Sequence, residues 1–163
     1  MRYAQIREYD VANGPGIRTS IFVSGCSHKC HNCFNEEYQD FSYGQEWTKD
    51  QTELVIKYLK NPQISGLTLL GGEPMQNFEL IEVIKEIKEA VDKSIWIYSG
   101  YRLEEILSHP RRRALLEECD VLVDGLFIEE LKDLKLKFRG SSNQRIIDIK
   151  KTLENKEVVI YDL

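Results

Sequence analysis

Arg18-Thr-Ser-Ile-Phe-Val-Ser24, followed at once by Gly25-Cys26, decides how the chain is read. β-Branched and aromatic residues crowd residues 18–24, the composition of a strand. The same grammar repeats downstream. Gly66-Leu-Thr-Leu-Leu70 is a short apolar strand running into Gly71-Gly72-Glu73-Pro74. Ile95-Trp-Ile-Tyr98 runs into Ser99-Gly100-Tyr101, and Val121-Leu-Val123 into Asp124-Gly125. Helical patterns fill the gaps. Thr48 with Gln51 three residues later is a capping box. It predicts a helix reaching Lys60, where Asn61-Pro62 stops it. Phe78, Leu80, Ile81, Ile84, Ile87 and Val91 keep helical spacing, with Asn77 as a candidate cap. Residues 103–118 read as helical, interrupted near Pro110.

Strands alternating with helices specify an α/β fold with a mostly parallel sheet. Ligands of such sheets gather at the C-terminal ends of the strands. The four unusual strand endings therefore converge on one edge. Between the first strand and Trp47 lies a loop of about twenty residues, a length that in compact domains usually marks function. Beyond residue 123 the pattern is weaker: a charged stretch through Lys137, then candidate strands at residues 145–147 and 157–161.

The 163 residues fit one domain spanning 1–163 and can bury a core without disulfides. A net charge of −5 argues against a general nucleic-acid binder, which needs a basic face. Arg111-Arg112-Arg113 reads as a solvated helix start, in preference to a phosphate site. No apolar run approaches the ~20 residues that span a bilayer. Residues 1–8 lack the apolar core of a secretory signal, so a cytoplasmic protein is expected.

Three of the four cysteines fall within eight residues, Cys26-Ser-His-Lys-Cys30-His-Asn-Cys33. Clustered cysteines in a cytosolic chain read as metal ligands or redox groups. Three thiolates around one centre leave a fourth position open, as catalytic metal sites do. A 4Fe–4S cluster with one open iron fits. So does a structural zinc completed by His28 or His31. Otherwise His28, Lys29 and His31 are most simply solvated loop residues. Cys119 stands alone and reads as a buried apolar residue.

The Cys-x₃-Cys-x₂-Cys spacing resembles the signature of the radical S-adenosylmethionine enzymes. Asn13-Gly-Pro-Gly-Ile-Arg-Thr-Ser-Ile-Phe-Val-Ser-Gly-Cys26 is similar to the glycyl-radical-enzyme activases. Trp96-Ile-Tyr-Ser-Gly-Tyr101, Val123-Asp-Gly-Leu-Phe127 and Phe138-Arg-Gly-Ser-Ser-Asn-Gln-Arg145 narrow the resemblance to activases of anaerobic (class III) ribonucleotide reductase. It covers residues 3–147. The chain departs from the pattern at Asn32, where most of the superfamily has an aromatic; Phe34 follows the third cysteine instead.

The resemblance implies an incomplete, open βα barrel, since eight βα units take about 250 residues. It implies that Cys26, Cys30 and Cys33 hold three irons of a 4Fe–4S cluster. S-adenosylmethionine chelates the fourth through its amino and carboxylate groups. An electron from flavodoxin or another reductant breaks the carbon–sulfur bond. The resulting 5′-deoxyadenosyl radical takes hydrogen from a glycine Cα in the reductase catalytic subunit. Asn32, Cys33 and Phe34 fall beside the adenosyl moiety. Gly71, Gly72 and Glu73 bind the methionine amino group, against the plainer reading of a tight strand-to-helix turn. Ser99 and Asp124 match positions contacting ribose or the methionine carboxylate, though Asp124 suits loop amides equally. Gly14-Pro15-Gly16 reads as a turn and, by resemblance, as lining of the opening for the partner. Arg139 and Asn143 are candidate partner contacts, with solvated loop as the default. Two other functions stay open: an activase of another glycyl radical enzyme or other small radical S-adenosylmethionine enzyme, and a non-catalytic zinc-binding interaction module.

Overall fold

The computed structural model describes every residue except Lys29, His31, Asn32, Phe34 and Asn35. Its frame is one mixed sheet built on the expected strands. β2 (Arg18–Val23), β4 (Gly66–Gly71), β5 (Ser94–Tyr98) and β6 (Val121–Asp124) are mutually parallel. Antiparallel strands flank them: β1 (Arg2–Asp10) beside β2, the two-residue β3 (Gln45–Glu46) beside β1, and β7 (Arg145–Asp148) beside β6. The order is β3-β1-β2-β4-β5-β6-β7, and among the described residues the sheet does not close.

Side chains alternate across a strand, and the two faces of the sheet have different tasks. Ile21 and Val23, Leu67 and Leu69, Ile95 and Ile97, Leu122 and Ile147 pack in one cluster with residues of all five helices. These are α1 (Lys49–Leu59), α2 (Leu80–Ala90), α3 (Leu103–Leu107), α4 (Pro110–Glu117) and α5 (Ile149–Asn155). The opposite face carries Phe22 and Leu70 in one small cluster and Trp96, Val121, Val123 and Ile146 in another. Helices therefore cover one face, and the other is left for a cavity.

Thr48 caps α1 as its sequence predicts: its hydroxyl accepts from Asp50 N, and Gln51 Oε1 accepts from Thr48 N at 2.7 Å. Pro110 starts α4 after α3 ends, which accounts for the interruption. Asn77 does not cap α2. Residues 74–76 form a 3₁₀ turn, and the Asn77 amide donates instead to the Glu73 carbonyl at 2.8 Å. Residues 157–161 contribute one isolated bridge, Ile147 to Ile160, rather than a strand. Among the described residues no helix is long and apolar enough to cross a membrane.

Candidate functional site

Gly25 ends β2 with φ +102°, a left-handed conformation in which a Cβ would meet the Phe41 ring at 2.1 Å. Its N–H donates to Tyr38 O at 2.8 Å, and that of Cys26 to Gln39 O at 3.0 Å. The cysteine loop is thus tied to the 3₁₀ turn at Glu36–Gln39. At the next strand end the backbones come closer still. Gly71 has φ +113°, and a Cβ there would lie 2.5 Å from Val23 O. A Cβ on Gly72 would lie 2.5 Å from Gly25 O and 2.6 Å from Tyr38 O. The bonds Gly72 N to Val23 O (2.8 Å) and Glu73 N to Gly25 O (2.7 Å) hold this contact. Both glycines are needed to bring the β4 end against the base of the cysteine loop.

A cavity of about 400 Å³ opens over the C-terminal ends of the parallel strands. Its walls include Cys26, Cys30, Cys33, Gly71, Gly72, Glu73 and Ser99. Seven of the sequence-predicted site residues thus meet in one space. Asn32 and Phe34 lie outside the described residues. Asp124 is not part of the wall.

Glu73 is buried, and its carboxylate has a partner at each lone-pair position. Oε1 lies 2.7 Å from His28 Nε2 and accepts from Gly100 N at 2.7 Å. Oε2 accepts from Ser99 Oγ and Met75 N, both at 2.9 Å. A carboxylate has about four acceptor positions, so Glu73 joins the cysteine loop, the β4 end and the β5 end in one knot. His28 is correspondingly no solvated loop residue: its side chain is 13% exposed and packs edge-on to Tyr101 at 4.5 Å. Nothing in the spacing of the cysteines signals this bond, because its partner is 45 residues away.

Asp124 is also buried and also engaged. One oxygen accepts from Leu103 N at 2.9 Å, and Arg145 Nη2 approaches to 2.5 Å. Arg145 reaches Glu104 as well, at 3.0 Å. The hydrogen bond to Asp124 holds the Arg145 guanidinium far above its ordinary pKa, and Arg145 in turn lowers Glu104. Arg139 lies in the cavity wall with Nη1 on Gln144 O at 2.7 Å, while Asn143 donates to Leu126 O at 2.8 Å. Pro15 and Gly16 border a separate hollow with Phe138 and Tyr161. In the basic run, Arg111 and Arg113 are exposed as the solvated reading expects, Arg111 stacking on Phe78 (4.3 Å) and Arg113 pairing with Glu117, whereas Arg112 is half-buried and stacks on Tyr101 (3.7 Å).

All four cysteines are free thiols. Burial raises the Cys26 thiol to about 11, helped by the charges of Glu73 and the neighbouring cysteines, and raises Cys30 too. Metal binding at such thiols requires deprotonation and so releases protons. Among the described residues no group of three or more His, Cys, Asp or Glu side chains closes around a single ion. The thiolates of a four-iron cluster each bind a separate iron, so the cluster needs a shared cavity with three sulfurs facing it. The donor set fits. Cys119 is buried in the helix-side core, its Sγ 3.4 Å from Leu115 O.

Comparison with known proteins agrees with this chemistry. Residues 12–147 match the family described as a 4Fe-4S single cluster domain. Of the two metals that the cysteine spacing left open, the match supports the 4Fe–4S cluster. The chain is 42% identical over 152 residues to the anaerobic ribonucleoside-triphosphate reductase-activating protein of Vibrio cholerae, covering 90% of this chain and 97% of that one. The protein of the same name from Escherichia coli K12 is 38% identical over 150 residues, covering 88% and 96%. That of Enterobacteria phage T4 is 37% identical over 150 residues, covering 90% and 93%.

Proposed function

Because this chain belongs to the family of anaerobic ribonucleoside-triphosphate reductase-activating proteins, we propose that it installs a glycyl radical on the reductase catalytic subunit as a radical S-adenosylmethionine enzyme. A single arrangement carries the reading: three thiols, a Gly-Gly-Glu turn and Ser99 share one cavity at the C-terminal edge of a parallel sheet. An open mixed sheet with helices on one face is compatible with the incomplete barrel expected of that enzyme class. A 4Fe–4S cluster held in this cavity would supply the reducing electron for radical cleavage of S-adenosylmethionine.

The chain's own residues do the positioning. Cys26, Cys30 and Cys33 would hold the cluster and leave it an open position for S-adenosylmethionine. Gly71 and Gly72 bring backbone to the methionine end of the cavity, and Glu73 fixes the geometry there from beneath. Ser99, already hydrogen-bonded to Glu73, lies on the same wall. Asn32 and Phe34 flank Cys33 and are assigned to the adenosyl side from their position in the chain. Asp124 orients the mouth indirectly, by fixing Arg145 and the start of α3. Reducing equivalents come from flavodoxin or a comparable low-potential donor, in the cytoplasm. No acid–base pair is required, because the cofactor supplies the difficult chemistry.

The test is electron paramagnetic resonance on the family's target. Anaerobically reconstituted protein, S-adenosylmethionine and a reductant should produce a glycine-centred doublet on the reductase subunit. A fully reduced, four-iron protein that leaves the reductase without a radical would remove the assignment.

A further inference from the structure

The function just proposed requires a polypeptide to present its glycine inside the cavity, and the surface around the mouth is unevenly built. Residues 126–134 expose four large aliphatic side chains, Leu126, Ile128, Leu131 and Leu134. Leu134 is 82% exposed and lines the cavity at the same time. The segment continues along the wall through Leu136, Phe138 and Arg139. Within residues 126–134 the charges are Glu129, Glu130 and Asp133 against Lys132, and Lys135, Lys137 and Arg139 follow directly along the wall.

A second observation falls on this stretch and just beyond it. Among the described residues five buried side-chain polar atoms have no hydrogen-bond partner; Glu129 Oε2 lies within the stretch, and Arg139 Nε and Asn143 Oδ1 follow it in the chain. Buried polar groups are ordinarily satisfied, so a cluster of orphans marks a segment whose surroundings are incomplete. The segment is nevertheless held in place. Tyr98 donates to Phe138 O at 2.5 Å, Phe138 takes the left-handed φ of +62°, and Ser142 N bonds Leu131 O at 3.0 Å. An anchored wall with an apolar outer face is the arrangement of a docking surface.

We infer that residues 126–134 form the docking face for the reductase subunit, its polypeptide covering Leu126, Ile128, Leu131 and Leu134 as its glycine loop passes the Leu134 lip. The inference rests on the function proposed above. The occupant is a protein surface because, on the function proposed above, the reacting glycine belongs to a polypeptide, and exposed Leu134 is part of the wall of the cavity that holds the cysteines. Recognition there is by apolar contact through the four exposed aliphatic side chains.

The experiment compares the reconstituted wild type with Leu134→Ser, Leu131→Ser and, as a control, Leu54→Ser, an exposed aliphatic on α1 away from the cavity. Anaerobic sedimentation with the reductase of the source organism reads association. Burying one leucine at a contact predicts about tenfold weaker binding for each of the first two variants. Glycyl radical yield should fall at low reductase concentration and recover at saturation. Leu54→Ser should match the wild type in both. Wild-type association in Leu134→Ser and Leu131→Ser would overturn the docking face and leave the radical chemistry standing. So would a wild-type dimer of this chain that the two variants dissociate, because a second copy would then own the face. Absence of 5′-deoxyadenosine from the wild type alone would instead overturn the radical reading, and the docking face with it.

Discussion

Replacing Gly72 with alanine should damage the site through backbone alone. The added Cβ would sit 2.5 Å from Gly25 O, 2.6 Å from Tyr38 O and 2.9 Å from the Gly25 carbonyl carbon. All three are main-chain atoms, so no side chain can swing aside. Restoring a 3.4 Å contact requires the β4 turn and the Gly25 carbonyl to part by about 0.9 Å. That separation strains Glu73 N to Gly25 O and Gly25 N to Tyr38 O, the bonds that seat Cys26. Overpacking of this kind costs about 1–3 kcal/mol, which lowers the midpoint of thermal unfolding by roughly 2–12 °C in a chain of this length. The cluster should suffer more than the fold, because Cys26 is bonded directly to the displaced residue. Differential scanning fluorimetry of the apo chain, with iron and sulfide analysis after anaerobic reconstitution, measures both. Gly100→Ala is the comparison, since the nearest atoms its Cβ would meet are side-chain atoms of His28 and Leu126, at 2.7 Å and beyond, rather than backbone. Gly72→Ala with wild-type melting and full iron, or with a smaller effect than Gly100→Ala, would refute the close-approach argument.

Three further outcomes follow from the same contacts. Arg145→Met leaves the Asp124 carboxylate buried without its cation and should cost about 3 kcal/mol in urea unfolding, the low end of the range for a broken buried pair because Arg145 is a quarter exposed; an unchanged midpoint would show the pair to be idle. Cys119→Ser should keep wild-type iron and sulfide, because its sulfur lies in the helix-side core, and loss of iron would make it a ligand. Burial works to raise the pKa of Asp10, but hydrogen bonds from Asn13, Ser20 and Ala12 N outweigh it and the net shift is downward. Its contribution is therefore present above the usual carboxylate pKa of about 4 and lost as pH falls through the lower folded value. Asp10→Asn should flatten the acid arm of the stability–pH curve below that pH, and an identical acid arm in the variant would contradict the assignment.

The parallel centre of the sheet was legible because its strands are buried on both faces and read as unbroken apolar or β-branched runs. β1 escaped notice for the opposite reason. Arg2-Tyr-Ala-Gln-Ile-Arg-Glu-Tyr-Asp10 lies next to the two-residue edge strand β3, half solvated, and mixes charges with single apolar residues. α5 has seven residues and only Ile149 and Thr152 buried, too few turns for a periodic signal. The cysteines and the Gly-Gly-Glu turn could be read because their meaning lies in local spacing and in position at a strand end. The role of His28 could not, nor the bond of Asp124 to Arg145, since each depends on a partner brought near by the sheet. The two glycines show the limit well: sequence weighed ligand against turn, whereas the structure shows a backbone packing requirement that is compatible with either.

The central claim is that the three-cysteine cavity cleaves S-adenosylmethionine reductively. The direct measurement is 5′-deoxyadenosine released by anaerobically reconstituted protein with dithionite and S-adenosylmethionine, for the wild type and for Cys26→Ala. The account predicts product from the wild type and none from the variant. Equal product from both, or none from a wild type carrying its full iron and sulfide, would contradict it.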